Sequence, residues 1–584
     1  MQRLWPGTFV EEVNLAQNIS IIRKAFKDVG GQDALIETVP KGGYRFTGTV
    51  RTILPDGADG ARNLGTKQPS PVNGSPRLER WSRRSLTLAV AATVTSIVIA
   101  GAIGYGRSVR LFGDKAPVSS SAENAIRSIA ILPLANLSSD TSQEFFSDGL
   151  TDELITKVAK IGSLRVISRT SVIGYKHTNK KVPEIGNELH VDSVVEGTVQ
   201  RVNNRVRIRV QLIRAATDQH IWAETYDRDV ADILDLQNEV AQTIAREIRI
   251  RLTPAEEVSL GRAMSLKPEA YEAFLQGRYH WNRRTEADLA VAEKFFREAL
   301  KLEPRYAAAY AALADCYTIS GQYGSVRPDE AFPKAKEAAR RALELDDSLP
   351  DAHAASALVA MLYDYDWART ESEFKRAIGL NPNYASARQW YAEYLSATGK
   401  TDLAVEQMTR ALEADPASRI MNVAAGRPFY YAREYDRAIE QFRHALALDD
   451  NLFPAHAMLA RALCAKGQYA EAVTEMRRAS RISQGNLSLD AELAFILAKA
   501  GHPKEAEAIL RSLKTDAKGQ FISGYSLALV KTGLGRTEEA ITLLEKAFAE
   551  HAPDIVHLST DPRFDTLRTN QRFQKLVARI GLPS

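Results

Sequence analysis

The sequence predicts a multidomain, mainly α protein in which an α-solenoid follows an α/β domain, one transmembrane helix and a small N-terminal segment. Three observations predict this class: a 34-residue period within 265–558, an uncharged run of 20 residues at 86–105, and alternating strand and helix signals between them. A chain of 584 residues is also too long for a single hydrophobic core. The net charge of +4 neither requires nor excludes nucleic acid as a partner.

Small residues recur along the C-terminal half of the chain at a spacing of 34 residues. One position of the period holds Ala404, Ala438, Ala472, Ala506 and Ala540. A second position, with gaps of 43, 35 and then 34 residues, holds Ala299, Ala342, Ala377, Ala411, Ala445, Ala479, Leu513 and Ala547. This is the period of tetratricopeptide repeats (TPR), in which a small residue lies where two helices cross.

The stretches EYDRAIEQFRHALALDD and QYAEAVTEMRRASRIS resemble the second helix of a TPR unit. About eight helix pairs are therefore expected within 265–558, with an insertion around 321–333 and a capping helix in 559–584. The concave face of such a solenoid usually binds a peptide or a protein segment, and we expect a partner of that kind here. The alternative is a spacer whose groove is unused.

Residues 126–252 alternate between short strand and helix signals. Strand signals cover 128–133, 164–168, 191–202, 205–214 and 220–226, and helical periodicity covers 144–161, 182–189 and 232–251. In RVRIRVQLI, apolar and polar residues alternate, which is typical of a sheet with one exposed face. The order of these elements predicts an α/β domain.

The phrases ILPLANLSSD, EFFSDGLTDELI, RVISRTSV, VVEGTVQ and HIWAETYDRD of this region resemble the TolB-like N-terminal domain. That resemblance implies binding or signal relay and brings no catalytic residues. Asp148, Glu153, Asp227 and Asp229 are predicted to be solvated or to cap helices. The histidines lack metal-ligand spacing, so we expect no enzyme activity, no metal site and no cofactor.

Residues 86–106 are predicted to form a transmembrane helix, because 20 uncharged residues can cross the hydrocarbon core. Polar linkers flank this span at 51–85 and 107–125. More basic residues precede the span than follow it, which favours a cytoplasmic N-terminus and periplasmic or otherwise extracytoplasmic C-terminal domains. The predicted location is therefore the inner (cytoplasmic) membrane in a single pass, and a buried core helix is the alternative.

One face of the predicted span carries small side chains at every fourth residue, namely Ala92, Ser96, Ala100 and Gly104. Such a face lets two helices approach closely, and it predicts self-association of the span. The alternative is that small residues are simply common in single spans.

Residues 1–50 predict a helix followed by a hairpin. Leu15, Ile19, Ile22 and Phe26 form one apolar helical stripe, and Asn14 precedes it as a capping residue. Residues 36–39 and 44–46 have strand composition on either side of a Pro-Lys-Gly-Gly turn.

The stretches LWPGTFVEEVNLAQNISIIRKAF and IETVPKGGYRF resemble the recognition helix and wing of OmpR-type winged-helix domains, nearest to the CadC/ToxR-like regulators. The resemblance implies double-stranded DNA as a partner. It implies that DNA contacts come from the helix residues Gln17, Asn18, Ser20, Arg23 and Lys24 and from the wing residues Lys41 and Arg45.

The N-terminal sheet and first helix of that family do not precede the recognition helix in this sequence. The apolar stripe therefore lacks much of the surface that it would pack against, and about fifty residues bury little apolar area alone. We expect either that the natural reading frame begins upstream of Met1 or that the segment is a truncated, impaired copy; DNA binding is expected if the domain is complete.

Together these parts predict a membrane-anchored one-component transcriptional regulator that senses a protein or ligand signal through its TolB-like and TPR domains. A homodimer, formed through the span or the outer domains, would pair two half-sites on DNA. The alternative is a TPR scaffold or envelope protein whose winged-helix remnant is inactive. A third class, a sensor associated with an enzyme such as a signalling cyclase, is disfavoured because no cyclase-like domain is visible in the sequence.

Overall fold

A computed structural model of the chain describes residues 36–39, 43–46, 125–138, 140, 143–261, 266–322, 326–483, 485–515 and 522–582. The chain divides into two compact units, residues 1–115 and 116–584. In the first unit, strands β1 (Ile36–Val39) and β2 (Gly43–Phe46) pair antiparallel, with Ile36 opposite Phe46 and Val39 opposite Gly43. The hairpin predicted from the strand composition is therefore present.

The second unit begins with an α/β domain built on a mixed sheet. Its strands are β3 (Ser128–Ile131), β4 (Ala135–Asn136), β5 (Arg165–Val166), β6 (Ser193–Val202), β7 (Arg205–Arg214) and β8 (Gln219–Asp229). The order is β5-β3-β6-β7-β8, with β4 also pairing β6. Strands β3, β4 and β5 make parallel pairings, whereas β6, β7 and β8 form an antiparallel meander.

The alternating pattern of RVRIRVQLI becomes strand β7, whose Val206, Ile208 and Val210 are buried while the arginines between them are exposed. The helices of the domain are α1 (Glu144–Val158), α2 (Arg169–Val172), α3 (Val182–Leu189) and α4 (Ile233–Glu247), and α5 (Pro254–Gly261) follows. One continuous core includes Ile129 of the sheet and Leu275 of the first repeat helix, so the α/β domain and the repeats share buried apolar surface.

Eight helix pairs follow in the described ranges, and they are called repeats 1 to 8. The pairs are α6 (Pro268–Trp281) with α7 (Glu286–Leu302), α8 (Ala307–Gln322) with α9 (Pro328–Leu345), α10 (Pro350–Val359) with α11 (Trp367–Leu380), α12 (Ala385–Ala397) with α13 (Thr401–Ala414), α14 and α15 (Arg419–Ala424 and Arg427–Tyr431) with α16 (Tyr435–Leu448), α17 (Phe453–Ala465) with α18 (Tyr469–Ile482), α19 (Leu487–Lys499) with α20 (Pro503–Thr515), and α21 (Gly524–Gly533) with α22 (Thr537–Ala549).

The small residues of the 34-residue period lie where the helices pack. All five alanines of the first position, from Ala404 to Ala540, are fully buried, and every residue of the second position is at most 4% exposed. Glycine provides the closest approach, because a Cβ on Gly277 would lie 2.4 Å from the Phe296 ring of the paired helix. The same contact recurs between Gly426 and Phe442, also at 2.4 Å. The TPR prediction is confirmed.

The transmembrane part of the predicted fold class, and with it the predicted single-pass location in the inner membrane, is corrected. No helix in the described ranges is long and apolar enough to cross a bilayer. The longest of them, α9, has 18 residues and carries Lys, Arg and Glu along its length. Residues 86–106, including the predicted self-association residues Ala92, Ser96, Ala100 and Gly104, lie outside the described residues. The rest of the predicted fold class, a mainly α chain with a TPR solenoid, is confirmed.

Replacing Gly277 with alanine should destabilise the repeats by about 1–3 kcal/mol, because the added methyl group overlaps the Phe296 ring in a packed core. Gly379→Ala is the matched control, since Gly379 lies in α11 with open space around it, and alanine there should stabilise the helix by about 0.5–1 kcal/mol. Thermal unfolding followed by far-UV circular dichroism measures both. Equal midpoints for the two variants would show that the close packing at Gly277 does not limit stability.

Candidate interaction surfaces

The residues predicted to contact DNA fall mostly outside the described part of the chain. This applies to Gln17, Asn18, Ser20, Arg23, Lys24 and Lys41. Arg45 lies in β2, where its backbone is paired with Glu37. The structure therefore places the strands of the predicted wing, and the DNA contacts themselves stay predictions.

The α/β domain is joined to repeat 1 through helix α1. A Cβ on Gly149 of α1 would lie 2.8 Å from Cδ2 of Leu275 in α6, so the two helices are in direct contact. Beside this contact, the Arg278 guanidinium donates to Asp152 Oδ2 from Nη2 at 2.8 Å and from Nε at 3.1 Å. Both side chains are mostly buried, and two hydrogen bonds to one carboxylate oxygen fix the angle between the helices.

A second joint lies between the α/β domain and repeat 4. The Asn383 side-chain amide donates to the carbonyl oxygens of Ala159 at 2.9 Å and Leu164 at 2.8 Å. Its Oδ1 accepts from the Val166 amide at 3.1 Å. One side chain thus satisfies three main-chain groups around strand β5. Sequence reasoning missed Asn383, because its partners lie more than 200 residues earlier and leave no local pattern.

The same joint continues to the end of repeat 4. The Ser171 hydroxyl donates to Asp415 Oδ1 at 2.6 Å and accepts from the Ala417 amide at 2.9 Å. The Ser168 amide donates to the carbonyl oxygen of Ala414 at 2.8 Å. The carbonyl at the end of helix α13 is thereby capped by the α/β domain, so the two parts behave as one body at this place.

Buried acidic groups lie on the repeats near the first joint. Asp315 of α8 is 1% exposed, and neither of its carboxylate oxygens has a hydrogen-bond partner among the described residues. Burial raises the pKa of Asp315, and the neighbouring Asp351 adds to this effect. The Tyr384 hydroxyl donates to Asp351 Oδ1 at 3.0 Å. Asp315 is therefore kept neutral rather than charged at neutral pH.

The C-terminal segment, residues 551–582, contacts repeats that are far apart along the solenoid. Its His551 ring stacks on Tyr363 of repeat 3 at 4.2 Å between ring centroids, and its His557 ring stacks on Tyr431 of repeat 5 at 4.3 Å. The indole N–H of Trp367 donates to the Ile580 carbonyl oxygen at 2.7 Å. Because one short segment touches repeats 3 and 5 and also the last repeats, the solenoid must curve around it.

A buried charge network fixes the middle of this segment. Asp561 is fully buried; its Oδ2 accepts from the Tyr525 hydroxyl of repeat 8 and from Arg563, both at 2.6 Å. Burial alone would raise the pKa of Asp561, but Arg563 lowers it to about 2. Glu492 Oε2 of repeat 7 lies 3.6 Å from Nη1 of Arg563. The same oxygen accepts a hydrogen bond from Nε of Arg461. The segment is therefore bound by charges as well as by stacking.

The segment also reaches the last repeat, which residues 559–584 were predicted to cap. Helix α23 (Gln571–Ile580) places Arg572 2.8 Å from both Glu538 and Glu545 of α22. The segment thus contacts the end of the solenoid and, in addition, repeats 3 and 5.

Three of the acidic residues considered from the sequence, Asp148, Asp227 and Asp229, form ion pairs. Asp148 is buried and paired with Lys176 at 2.6 Å, so the prediction that it is solvated or caps a helix is wrong. Asp227 pairs with Arg207 across the exposed face of the sheet. Cys316 and Cys464 are buried and form no disulfide bond. Within the described residues, no group of His, Cys, Asp and Glu could hold a metal ion.

Comparison with known families identifies two parts of the chain. Residues 125–243 match the family described as HilA/YgeH-like transcriptional regulator, second domain. Residues 429–486 and 465–521 match the tetratricopeptide repeat. The first match covers most of the α/β domain; the TolB-like assignment and the OmpR-type winged helix have no counterpart in these matches.

The chain is also similar to curated proteins over part of its length. It is 34% identical over 252 residues to Putative adenylate cyclase 3 of Rhizobium meliloti, covering 43% of this chain and 42% of that protein. It is 25% identical over 240 residues to Transcriptional regulator HilA of Salmonella typhimurium, covering 41% of this chain and 42% of that protein. The chain thus spans about two fifths of each relative. A solved structure of Pseudomonas aeruginosa PilF is 22% identical with a TM-score of 0.29, covering 37% of this chain and 95% of that one.

Lowering the pH should loosen the C-terminal segment through His557. Burial, assisted by Arg427, lowers the pKa of His557 to about 3, so the ring is neutral in the folded protein. An unfolded histidine binds a proton below about pH 6.5, so stability present above that pH is lost as the pH falls. At about pH 5 the loss should reach about 2 kcal/mol.

The variant His557→Phe keeps the stacking on Tyr431 and removes the titrating group, so it isolates this effect from other groups that titrate in the same range. The measurement is the thermal midpoint between about pH 7 and about pH 5. Between these two pH values the thermal midpoint of the native chain should fall further than that of the variant. Parallel curves for the two proteins would mean that His557 does not stay neutral in its buried site.

Proposed function

We propose that this protein is a transcriptional regulator in which the N-terminal segment binds double-stranded DNA and the unit of residues 116–584 receives a protein or ligand signal. The observation that carries the proposal is the match of residues 125–243 to a HilA/YgeH-like regulator domain, fused to eight tetratricopeptide repeats. The similarity to HilA supports it further. The fusion puts a regulator domain and a protein-binding solenoid in one body.

In this proposal, Gln17, Asn18, Ser20, Arg23 and Lys24 read base edges and contact phosphates from a recognition helix. Amide side chains pair with adenine, and arginine or lysine pairs with guanine or phosphate. Lys41 and Arg45 approach the DNA backbone from the wing, whose two strands are paired in the structure. Two chains bound together would read two half-sites.

The repeats supply the signal-receiving surface of the proposal. The surface that includes Tyr363, Tyr431 and Glu492 holds residues 551–582 through stacking and buried charges, so a partner that uses this surface must displace the segment. Displacement would free Tyr363 and Tyr431 and would remove Arg563 from the Glu492 carboxylate, which keeps Arg461 as its partner. A partner segment with aromatic and basic side chains would match these groups.

A second candidate function is protein interaction alone, with a winged-helix remnant that does not bind DNA. The eight repeats favour it, because solenoids of this kind act as binding scaffolds. For either candidate we propose that the chain has no catalytic activity, since both matched families describe a regulator domain or a repeat. The similarity to a putative adenylate cyclase covers 43% of the chain.

Selection from a randomised double-stranded oligonucleotide library with the full chain tests DNA binding. We expect a selected sequence whose affinity falls steeply with salt, because phosphate contacts release counterions. The variant Arg23→Ala should cost about 1–3 kcal/mol of binding free energy. The variant Lys41→Ala should reduce the slope of the logarithm of the binding constant against the logarithm of the salt concentration by about one.

The control variant is Arg419→Ala, which removes an exposed arginine of repeat 5 that pairs with Asp449 at 2.8 Å. It should bind the selected DNA like the native chain. If the library yields no preferred sequence and the full chain shows no salt-dependent binding, the DNA proposal fails and the interaction protein becomes the better description. A protein partner retained by the repeats in that case would support the second candidate.

A further inference from the structure

A cleft of about 340 Å³ opens at the joint between the α/β domain and repeat 4. From the α/β domain it is lined by Arg127, which immediately precedes β3, and by residues 162–165, which end in Arg165. From repeat 4 it is lined by Arg388 of α12 and Arg410 of α13. Both parts of the body therefore contribute walls and positive charge to the same space.

The charge of the cleft is unbalanced. Four arginines line it, and Glu413 is the one acidic lining residue. Arg410 pairs with Glu406 at 2.9 Å, but Arg127, Arg165 and Arg388 make no salt bridge within the part of the chain that the structure describes. The cleft thus has an excess of positive charge, because its arginines outnumber the carboxylates beside them.

Main-chain oxygens hold two of these guanidinium groups in place. Arg165 donates to the carbonyl oxygens of Glu413, at 3.0 Å, and His190. Arg388 donates to the Pro382 carbonyl oxygen from Nε at 3.0 Å and from Nη2 at 2.8 Å, and to Gln407 Oε1 at 2.7 Å. Neutral acceptors orient a guanidinium group and leave its positive charge intact.

Arg388 gives the strongest indication of an anion site, because its side chain is charged and the residue is only 6% exposed. A buried charge without a counter-charge is costly. Other largely buried arginines of this protein have a carboxylate partner: Arg278 has Asp152 and Arg461 has Glu492. Burial and the nearby Arg410 lower the pKa of Arg388, whereas Glu406 and Glu413 act in the opposite direction, and an anion in the cleft would further stabilise its charged form.

We propose that this cleft binds a small phosphate-bearing molecule. The planar fork of a guanidinium group matches two phosphate oxygens, and arginine clusters are the usual means of binding phosphate groups. The volume lies at the lower end of the range for small-molecule sites, which fits a compact metabolite. The ligand would touch Arg127 and Arg165 on one side and Arg388 and Arg410 on the other, and it would tighten the joint.

This inference goes beyond the proposed function, since it concerns a small ligand and needs no DNA. Its failure and the failure of DNA binding are therefore separate results. The probes are inorganic phosphate, inorganic pyrophosphate and citrate, each titrated into the full chain by isothermal titration calorimetry at constant ionic strength. Thermal midpoints at millimolar probe concentration provide a second readout.

Phosphate or pyrophosphate should bind and raise the midpoint. Arg388→Gln should weaken this binding about tenfold or more, because a charged hydrogen-bond donor is lost. Since Arg388 is buried, the double variant Arg127→Gln with Arg410→Gln, which changes two lining arginines, tests the cleft without that risk to folding. It should weaken binding to a similar extent.

The matched control is Arg477→Gln, which removes an arginine on repeat 6 that is 54% exposed and does not line the cleft. It should bind both phosphate probes like the native chain. No binding of either phosphate probe at millimolar concentration would overturn the proposal. So would binding that both cleft variants leave unchanged, or binding of citrate in preference to both phosphate probes.

Discussion

The close crossing of paired helices at small side chains is the constraint on which the second unit depends. Gly277 and Gly426 bring the facing Phe296 and Phe442 rings against the helix backbone, and buried alanines at a 34-residue spacing repeat the approach along the solenoid. A regular crossing gives each repeat a similar rotation relative to its neighbour. That rotation produces the curvature by which repeat 3 and repeat 8 face the same C-terminal segment.

Curvature also explains why two different parts of the chain can dock on one solenoid. Repeats 1 and 4 bind the α/β domain through Arg278 and Asn383, while repeats 3, 5, 7 and 8 bind the C-terminal segment. At each joint buried polar groups such as Arg278, Asn383 and Asp561 are paired across the contact. The cleft at the joint with repeat 4 differs from the other contacts, because four arginines and one glutamate line it. This excess of positive charge is the reason for assigning a phosphate-bearing ligand to it.

Local sequence patterns predicted the local structure. The period-2 alternation of β7, the helix over 182–189 and the 34-residue repeat all depend on neighbours within one turn, one strand or one helix pair, and all are present. The patterns could not predict contacts across long separations, such as Asp152 with Arg278 or Asn383 with Val166, because nothing near either residue marks its partner. The prediction of a transmembrane helix was wrong. The described helices mix charged residues with apolar ones, and none of them is long and apolar enough to cross a bilayer.

The C-terminal segment has a consequence for how the solenoid unfolds. An open repeat array behaves as a chain of nearest neighbours, and its ends can fray one repeat at a time. Here the Trp367 indole of repeat 3 donates a hydrogen bond to the Ile580 carbonyl oxygen at the end of helix α23. Arg572 of the same helix forms an ion pair with Glu538 of the last repeat. This link joins distant repeats into a closed loop of contacts, so repeats 3 to 8 should lose their structure together rather than peel from the end. The stability of this array is therefore shared among repeats, as in a globular domain, and not divided repeat by repeat.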